Sequence, residues 1–395
     1  MSRRSLVIVT AAAVLAAAVV VVVGAGSGDD GGRRPPVARA LELSQCRGLG
    51  ADDAQACITR EFQRLVAGEH DPRPAVKGIA KTVRRTGGPL LSDCHGVMHT
   101  VGRTYARDAG VTLATLMDYL PKDNDPGCTA GFAHGLVTAV APQLDTSRPR
   151  ESAAVCADAG TRFQLYSCIH GFGHAFMRVY GDQLRPALGL CRALGRASAA
   201  DCAQGAYHDY WFAVAGADDA TLPAEAITDP RRLCNAQPRS FVRPCWYRAF
   251  VDNRPEGFEL ATPEDLDGLC AELGGIQRAG CITAAAVIGP ADPSAQMRMC
   301  AGLPEPPDAA NCARGIKVQN LPDATTAEYV GLVGRCELFD LPARPACYSW
   351  LGKALTVVTD GEFAKMGCPE LRSSSARRQC LKGAGHADEA LVTFS

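Results

Sequence analysis

Short apolar runs, many of them opening at a cysteine, recur along the chain between polar loops. Examples are CITAAAVIG from Cys281 and CYSWLGKALTVV from Cys347. Segments with the apolar and polar alternation of a half-buried strand are nearly absent. The dipeptides Asp229-Pro230, Thr262-Pro263 and Asp292-Pro293 each place an N-cap residue before a proline, which is a helix start. The pattern predicts an all-α protein.

The helices are predicted to form hairpins that repeat. From Cys168 to Cys380 the second cysteine of successive pairs recurs at steps of 31 to 43 residues, which is the period of stacked helical hairpins. Each second helix is predicted to open at or just before its cysteine, with Ser167, Asp201 and Asn311 as N-caps. The predicted architecture is an αα-hairpin repeat solenoid.

The cysteines predict a disulfide framework. All eighteen follow the N-terminal apolar segment, and their even number is typical of a protein that folds in an oxidising compartment. Neither the CxxC pairs of zinc ribbons nor the CxxCH motif of c-type haem attachment occurs. Eight sequence-consecutive pairs, separated by 11 or 12 positions, are predicted to staple one hairpin each. They are Cys46–Cys57, Cys156–Cys168, Cys191–Cys202, Cys234–Cys245, Cys270–Cys281, Cys300–Cys312, Cys336–Cys347 and Cys368–Cys380.

The remaining two cysteines, Cys94 and Cys128, are 34 positions apart. Both are expected at the start of a long helix, and VTLATLMDYL between them is typical of a short connecting helix. We expect them to bond to each other, which would bring His95 and His99 towards His134.

Helical hairpins of about 35 residues, stapled between their two helices as in LCRALGRASAADCAQGAYHDY, resemble the Sel1-like repeats of the Helicobacter cysteine-rich proteins. The resemblance covers roughly Cys156 to Cys380. It implies an exported solenoid whose concave face binds another molecule, and it carries no functional residue over to this chain.

The N-terminus predicts export. Two arginines precede an apolar run from Leu6 to Val23, which just reaches the length that spans a bilayer. Residues 1–25 are therefore predicted to be either a cleaved signal peptide or a single transmembrane anchor. The arginines favour a cytoplasmic N-terminus, so the rest of the chain is expected outside the cytoplasm, secreted or membrane-anchored.

The remainder divides into three parts. Residues 26–40 are rich in glycine, proline and charge and predict a flexible linker. Residues 41–215 are predicted to be N-terminal helical repeats that contain the histidine cluster, and residues 216–395 to be C-terminal helical repeats.

Charge and motifs limit the function. The 41 Lys+Arg residues nearly balance the 42 Asp+Glu residues without a basic stripe, which argues against a nucleic-acid partner. The motifs GxSxG, HExxH and GxxxxGK and a dinucleotide-binding fingerprint are absent. Whether the protein is an enzyme stays open, and any catalysis would depend on the histidines.

Six of the eight histidines lie in a duplicated two-helix unit. CHGVMHTVGRTYARD from Cys94 and CIHGFGHAFMRVYGD from Cys168 share the pattern HxxxHxxxRxY, and each is followed by a C-x-x-G-x-x-H motif 34 residues later. The glycine of that motif predicts close approach of a neighbouring backbone. The histidines are His95, His99 and His134 in the first copy and His170, His174 and His208 in the second.

This spacing predicts metal ligands. Histidines four residues apart share one helix face, and the histidine of the following helix can supply a third ligand. We therefore expect one three-histidine site in each copy, for a transition metal such as copper, zinc or iron, or for haem. Two such sites could lie near each other, as in type 3 dicopper proteins, which offer an analogy of ligand number and not of fold. Arg103 and Arg178, four residues beyond each HxxxH, are expected to bind an anion such as a carboxylate, a phosphate or a haem propionate.

A structural role for the histidines is the alternative. A histidine repeated in a repeat motif could hydrogen-bond between neighbouring helices, and His386, which has no HxxxH partner, favours that interpretation. The protein would then be a non-catalytic cell-surface scaffold that binds a protein or peptide on its solenoid face. Tyr207, Tyr210 and Trp211 are expected in the core or lining a groove, and His70 in solvent.

Overall fold

The protein is described by a computed structural model that covers residues 43–46, 49–86, 89–122, 127–196, 198–216, 227–253, 260–290, 292–318, 324–359 and 361–386. Residues 1–25 and 26–40, with the predicted signal or anchor and the linker, lie outside these ranges. Among the described residues, no helix combines the length and apolarity needed to cross a membrane.

The all-α prediction is confirmed, since the described residues contain helices and no strand. The α-helices are α1 (Ala51–Val66), α2 (Arg73–Thr86), α3 (Pro89–Asp108), α4 (Leu116–Tyr119), α5 (Cys128–Ala139), α6 (Pro149–Ala153), α7 (Arg162–Val179), α8 (Leu184–Ala193), α9 (Ala199–Gly216), α10 (Pro230–Asn235), α11 (Arg239–Asp252), α12 (Pro263–Leu269), α13 (Gly275–Val287), α14 (Pro293–Ala301), α15 (Pro306–Ala313), α16 (Thr326–Gly334), α17 (Arg344–Val358), α18 (Glu362–Met366) and α19 (Ser374–Ala384).

Three helix starts follow the predicted cap chemistry. Asp229 accepts a hydrogen bond from the backbone N–H of Arg231 at the start of α10, and Asp292 caps α14 in the same way. Thr262 forms a capping box with Asp265 at the start of α12. Each cap satisfies backbone N–H groups that have no partner within the helix.

The predicted caps at Ser167, Asp201 and Asn311 are wrong, because α7, α9 and α15 begin earlier. Thr161 caps α7 by accepting from the N–H of Gln164, which places Cys168 in the second turn of the helix. In α15 the helix opens at two prolines, whose fixed φ suits the first turn. The second cysteines therefore lie inside their helices, facing the preceding helix.

Nine disulfides join sequence-consecutive cysteines, in the pairs that the spacing predicts. Each of the eight short links stabilises its hairpin by about 3 kcal/mol through loop-closure entropy. The Cys94–Cys128 bond spans the predicted short helix, which is α4. Cys94 lies in the second turn of α3 rather than at its start, whereas Cys128 begins α5. Nine disulfides are consistent with a location outside the cytoplasm.

Successive long helices pack against one another. The chain of contacts runs through α3, α5, α7, α9, α11, α13, α15, α17 and α19. Buried apolar residues from Phe62 to Cys380 form one continuous core along this series. The repeat organisation is therefore present, and the solenoid shape stays a prediction.

Candidate metal centre

Six histidine side chains from four helices converge into one cluster. Its members are His95 and His99 of α3, His134 of α5, His170 and His174 of α7, and His208 of α9. Neighbouring ring centroids in this histidine cluster are 4.4 to 6.3 Å apart. The sequence predicts two three-histidine sites, whereas the structure joins both copies in a single cluster.

The four helices surround the cluster rather than lie side by side. In a flat row, α5 and α7 would lie between α3 and α9. Because the axes of packed helices are about 8–10 Å apart, α3 and α9 would then be too far apart for their side chains to meet. The rings of His95 and His208 are nevertheless stacked at 5.5 Å. The rings of His99 and His174, on α3 and α7, are 4.8 Å apart.

Glycines bring the paired helices close enough for this convergence. A Cβ on Gly131 would lie 2.2 Å from the carbonyl oxygen of His95, and a Cβ on Gly205 would lie 2.1 Å from that of His170. Any side chain there would push α5 away from α3, or α9 away from α7. The predicted close approach at the glycine of the C-x-x-G-x-x-H motif is thus confirmed.

His95, His99 and His134 form the first group of possible ligands, as the sequence predicts. Nε2 of His99 is 3.1 Å from Nε2 of His95 and 3.3 Å from Nδ1 of His134. Three imidazole nitrogens therefore surround one point. His95 and His99 remain partly accessible to solvent, so this group lies near the surface.

The second group consists of His134, His170 and His174, all of them buried. The sequence assigns its third position to His208, whereas the structure brings His134 to this group. α5 packs against both α3 and α7, so His134 reaches both copies and stacks on His170 at 4.4 Å. His208 lies beside this group, with its ring 5.1 Å from that of His174.

Several buried ring nitrogens of the cluster have no hydrogen-bond partner among the described residues. They are Nε2 of His134, His170 and His174, and Nδ1 of His208. Leaving a buried polar atom without a partner costs about 1–3 kcal/mol, so native proteins rarely place several together.

Groups outside the cluster orient two of its rings. Nδ1 of His174 donates to Oδ1 of Asp209 over 2.9 Å, and Nδ1 of His170 is 3.0 Å from the hydroxyl of Tyr166. In a neutral His174 ring, Nε2 then carries the free lone pair. Metal-binding histidines usually have such a partner on the nitrogen that does not bind the metal.

A buried ion pair lies behind His208. Oδ1 of Asp252 is 3.9 Å from Nε2 of His208 and 3.5 Å from Nη1 of Arg248, whose side chain is 2% exposed. Burial raises the pKa of Asp252 to about 7, although the neighbouring Arg248 charge lowers it. At neutral pH the carboxyl group is therefore only partly ionised, and it offsets part of the Arg248 charge next to the cluster.

Burial keeps most of the cluster uncharged. Loss of hydration is the main cause that holds the pKa values of His99, His134, His170 and His208 well below the usual 6.5, and neighbouring histidines and Arg248 lower them further. Although His99 and His208 retain some accessible surface, the rings around them remove most of their hydration. At neutral pH these four rings are therefore unprotonated, which is the form that binds metals.

The sequence prediction missed three residues that contact the histidine cluster: Asp209, Asp252 and Tyr166. Each has a positional signal. Asp209 and Asp252 both follow the second cysteine of their repeat by seven residues, and Tyr166 precedes His170 by four, which places both on one helix face.

The predicted anion-binding arginines lie at the edge of this region. Arg178 pairs with Asp182 over 3.7 Å, and both side chains are about half exposed. Arg103 is partly buried, and this burial is the main cause that lowers its pKa. The nearby charge of Arg178 lowers the pKa further, whereas the charge of Asp209 raises it. The two arginines are thus close enough to interact, next to a carboxylate that orients His174.

Four other residues, Tyr207, Tyr210, Trp211 and His70, lie where the sequence predicts them. Tyr207 and Trp211 are fully buried, and Tyr210 bonds through its hydroxyl to the backbone of Ile227. His70 and His386 are accessible to solvent and lie outside the cluster.

The arrangement can hold a transition metal, since uncharged imidazoles suit copper, zinc, nickel and iron. The sequence matches no protein-family model and no curated protein.

Proposed function

We propose that this is an exported helical repeat protein that binds a transition metal through the histidine cluster. The observation that carries the proposal is the set of buried, unpartnered Nε2 atoms of His134, His170 and His174, in a group whose possible ligand atoms lie within 4.8 Å of one another. A metal ion would satisfy all three at once.

A purely structural role explains these atoms poorly. A hydrogen-bond network would give each buried ring nitrogen a donor or an acceptor, because an unmade bond is expensive in the interior. Here the outer nitrogens of His170 and His174 have such partners, whereas the nitrogens that face the cluster have none among the described residues. A ring with one nitrogen held by a hydrogen bond and the other nitrogen left without a partner is typical of a metal-binding histidine.

The donor set favours a bare metal ion over haem. Copper, zinc and iron all accept imidazole, and copper(II) binds most tightly among the divalent ions of this series. Neighbouring rings of the cluster have their centroids 4.4 to 6.3 Å apart, so a porphyrin would have to be inserted between rings already in contact. For this reason haem is the weaker candidate.

Arg103 and Arg178 are proposed to bind an anion beside the cluster. Their positive charges lie near enough to affect each other, and a carboxylate or phosphate between them would relieve this repulsion. We propose that the protein acts outside the cytoplasm, either secreted or held by its N-terminal segment.

Metal analysis of the full-length, disulfide-intact protein tests the proposal. After exposure to copper, zinc or iron salts and removal of free metal, we expect retained metal in the wild type and less in the His99→Ala and His174→Ala variants. His70→Ala and His386→Ala change histidines outside the cluster and serve as matched controls. The proposal fails if correctly folded wild-type protein retains none of these metal ions.

A scaffold without chemistry is the second candidate, and it concerns the C-terminal repeats. The described part of residues 216–395 contains no group of side chains that could hold a metal, while Leu338 and Leu341 are 49% and 74% exposed. Those leucines could contact a protein or peptide partner. This function predicts that a chelator leaves stability and partner binding unchanged, whereas the metal-binding function predicts a loss of stability.

A further inference from the structure

We propose that the histidine cluster is a dinuclear metal centre in which His134 is a shared ligand. Its Nδ1 would bind one ion together with His95 and His99, and its Nε2 would bind a second ion together with His170 and His174. The inference rests on the proposed metal-binding function, and it adds the number of ions and the residue that links them.

The first ion is supported by the spacing around His99. Ligand nitrogens about 2.0–2.1 Å from a tetrahedral zinc ion lie roughly 3.3–3.4 Å from one another. The observed distances from Nε2 of His99 to Nε2 of His95 and Nδ1 of His134 are 3.1 and 3.3 Å. One ring nitrogen offers a single in-plane position, so it cannot make two good hydrogen bonds, whereas three nitrogens can share one ion.

The second ion is supported by different atoms. Nε2 of His134, His170 and His174 are buried and unpartnered within the described residues. Asp209 and Tyr166 hold the opposite nitrogens of His174 and His170, which leaves Nε2 of both rings for a metal.

His134 belongs to both groups through its two nitrogens. Nδ1 faces His99 over 3.3 Å, while Nε2 has no partner in the described structure. No other histidine of the described chain belongs to both groups. A second ion on the same ring would replace the ring's N–H proton, which would leave to solvent, and no electron would be transferred.

Charge near the cluster is compatible with two cations. The carboxylate of Asp209 bonds directly to a ring of the second group. Arg248 opposes cation binding, but its guanidinium pairs with Asp252 over 3.5 Å. The positive charge of Arg103 also acts on His99, so the carboxylates of Asp209 and Asp252 offset part of the charge of the two arginines.

The two groups also differ in access to solvent. His95 and His99 are partly exposed, whereas His134, His170 and His174 are at most 1% exposed. An ion in the first group could accept a solvent or substrate ligand, while the second ion would be enclosed by protein. This asymmetry resembles a reactive ion held next to a structural one.

Copper loading of the full-length protein tests the inference. We expect two copper(II) ions per folded chain, and we expect magnetic coupling through the His134 ring to weaken the electron paramagnetic resonance signal relative to the copper content. His95→Ala and His170→Ala should each retain one ion and recover a full mononuclear signal. His386→Ala is the control and should match the wild type.

His134→Gln should reduce binding at both sites, and circular dichroism with disulfide mapping will verify its fold. The wild-type copper count and signal need no variant, so they decide the matter even if that protein fails to fold. One ion per wild-type chain, or two uncoupled ions, would overturn the shared centre and leave the proposed function standing. No retained ion would overturn both.

Discussion

Gly131 lies against the backbone of His95, where a Cβ would be 2.2 Å from the carbonyl oxygen. The contact fixes the distance between α3 and α5, and with it the position of His134 relative to His95 and His99. We expect Gly131→Ala to separate the helices, lower the free energy of unfolding by about 1–3 kcal/mol and weaken metal binding. Denaturant unfolding and metal titration measure the two effects.

Gly96→Ala is the matched control for this change. Gly96 lies in α3 beside His95, but a Cβ there would meet nothing within 4 Å. Alanine is favoured over glycine in a helix by about 0.5–1 kcal/mol, so this variant should be slightly more stable and should bind metal normally. Equal behaviour of the two variants would contradict the close-contact explanation.

Acid is expected to unfold the metal-free protein cooperatively. The pKa values of His99, His134, His170 and His208 are lowered in the folded state, so their stabilising effect is present above pH 6.5 and is lost as the pH falls. Asp252 acts in the opposite sense. Its pKa is raised to about 7 in the folded state, so it binds a proton that the unfolded chain does not, and this offsets one of the four protons that the histidines bind only after unfolding. Each of the remaining three protons lowers the free energy of unfolding by about 1.4 kcal/mol for each unit by which the pH falls.

Between about pH 6.5 and 5 the free energy of unfolding should therefore fall by up to about 4 kcal/mol per pH unit. Denaturant titrations at several pH values, with disulfides intact and a chelator present, measure this slope. Asp252→Asn removes the opposing group and should make the slope steeper. A stability that is independent of pH across this range would rule out neutral, buried histidines.

The Cys94–Cys128 disulfide is expected to matter more for the metal centre than any other. It closes 34 residues and ties α3 to α5, which hold the first ligand group. Replacing both cysteines by serine should destabilise the protein by about 4 kcal/mol and weaken metal binding. Replacing Cys368 and Cys380, which close 12 residues far along the chain, should cost about 3 kcal/mol and leave metal binding unchanged. Equal metal affinity in the two double variants would argue against this coupling.

Asp209 is expected to tune the metal affinity through His174. Its carboxylate accepts from Nδ1 of His174 over 2.9 Å, and loss of such an outer partner typically weakens metal binding about 10- to 100-fold. We expect Asp209→Asn to show this loss, because the amide has no negative charge. Asp182→Asn changes a surface carboxylate that pairs with Arg178 and should keep wild-type affinity. Isothermal titration calorimetry compares the two variants directly.

Much of the fold could be predicted because its determinants are local. Each short disulfide lies within one hairpin, and the caps at Asp229, Thr262 and Asp292 depend only on adjacent residues. The start of α7 is harder to predict, because Thr161 and Ser167 both carry a hydroxyl that can cap a helix. The structure places the cap at Thr161 and buries Ser167 inside the helix, an outcome that depends on packing against neighbouring helices.

The site could be predicted only in part. The duplicated spacing identifies all six histidines and the first ligand group, since these depend on helix periodicity. The third ligand of the second group comes from α5, because α5 packs between α3 and α7. An alignment of the repeats does not show which helices are neighbours in space. For this reason His134, and not its counterpart His208, belongs to both groups.

The pairing of neighbouring cysteines also has a consequence for biogenesis. A chain that enters an oxidising compartment from its N-terminal end exposes each cysteine just before its own partner, from Cys46 and Cys57 through to Cys368 and Cys380. Simple oxidation in order of emergence then produces the native set of bonds. Such a protein should mature without a disulfide isomerase.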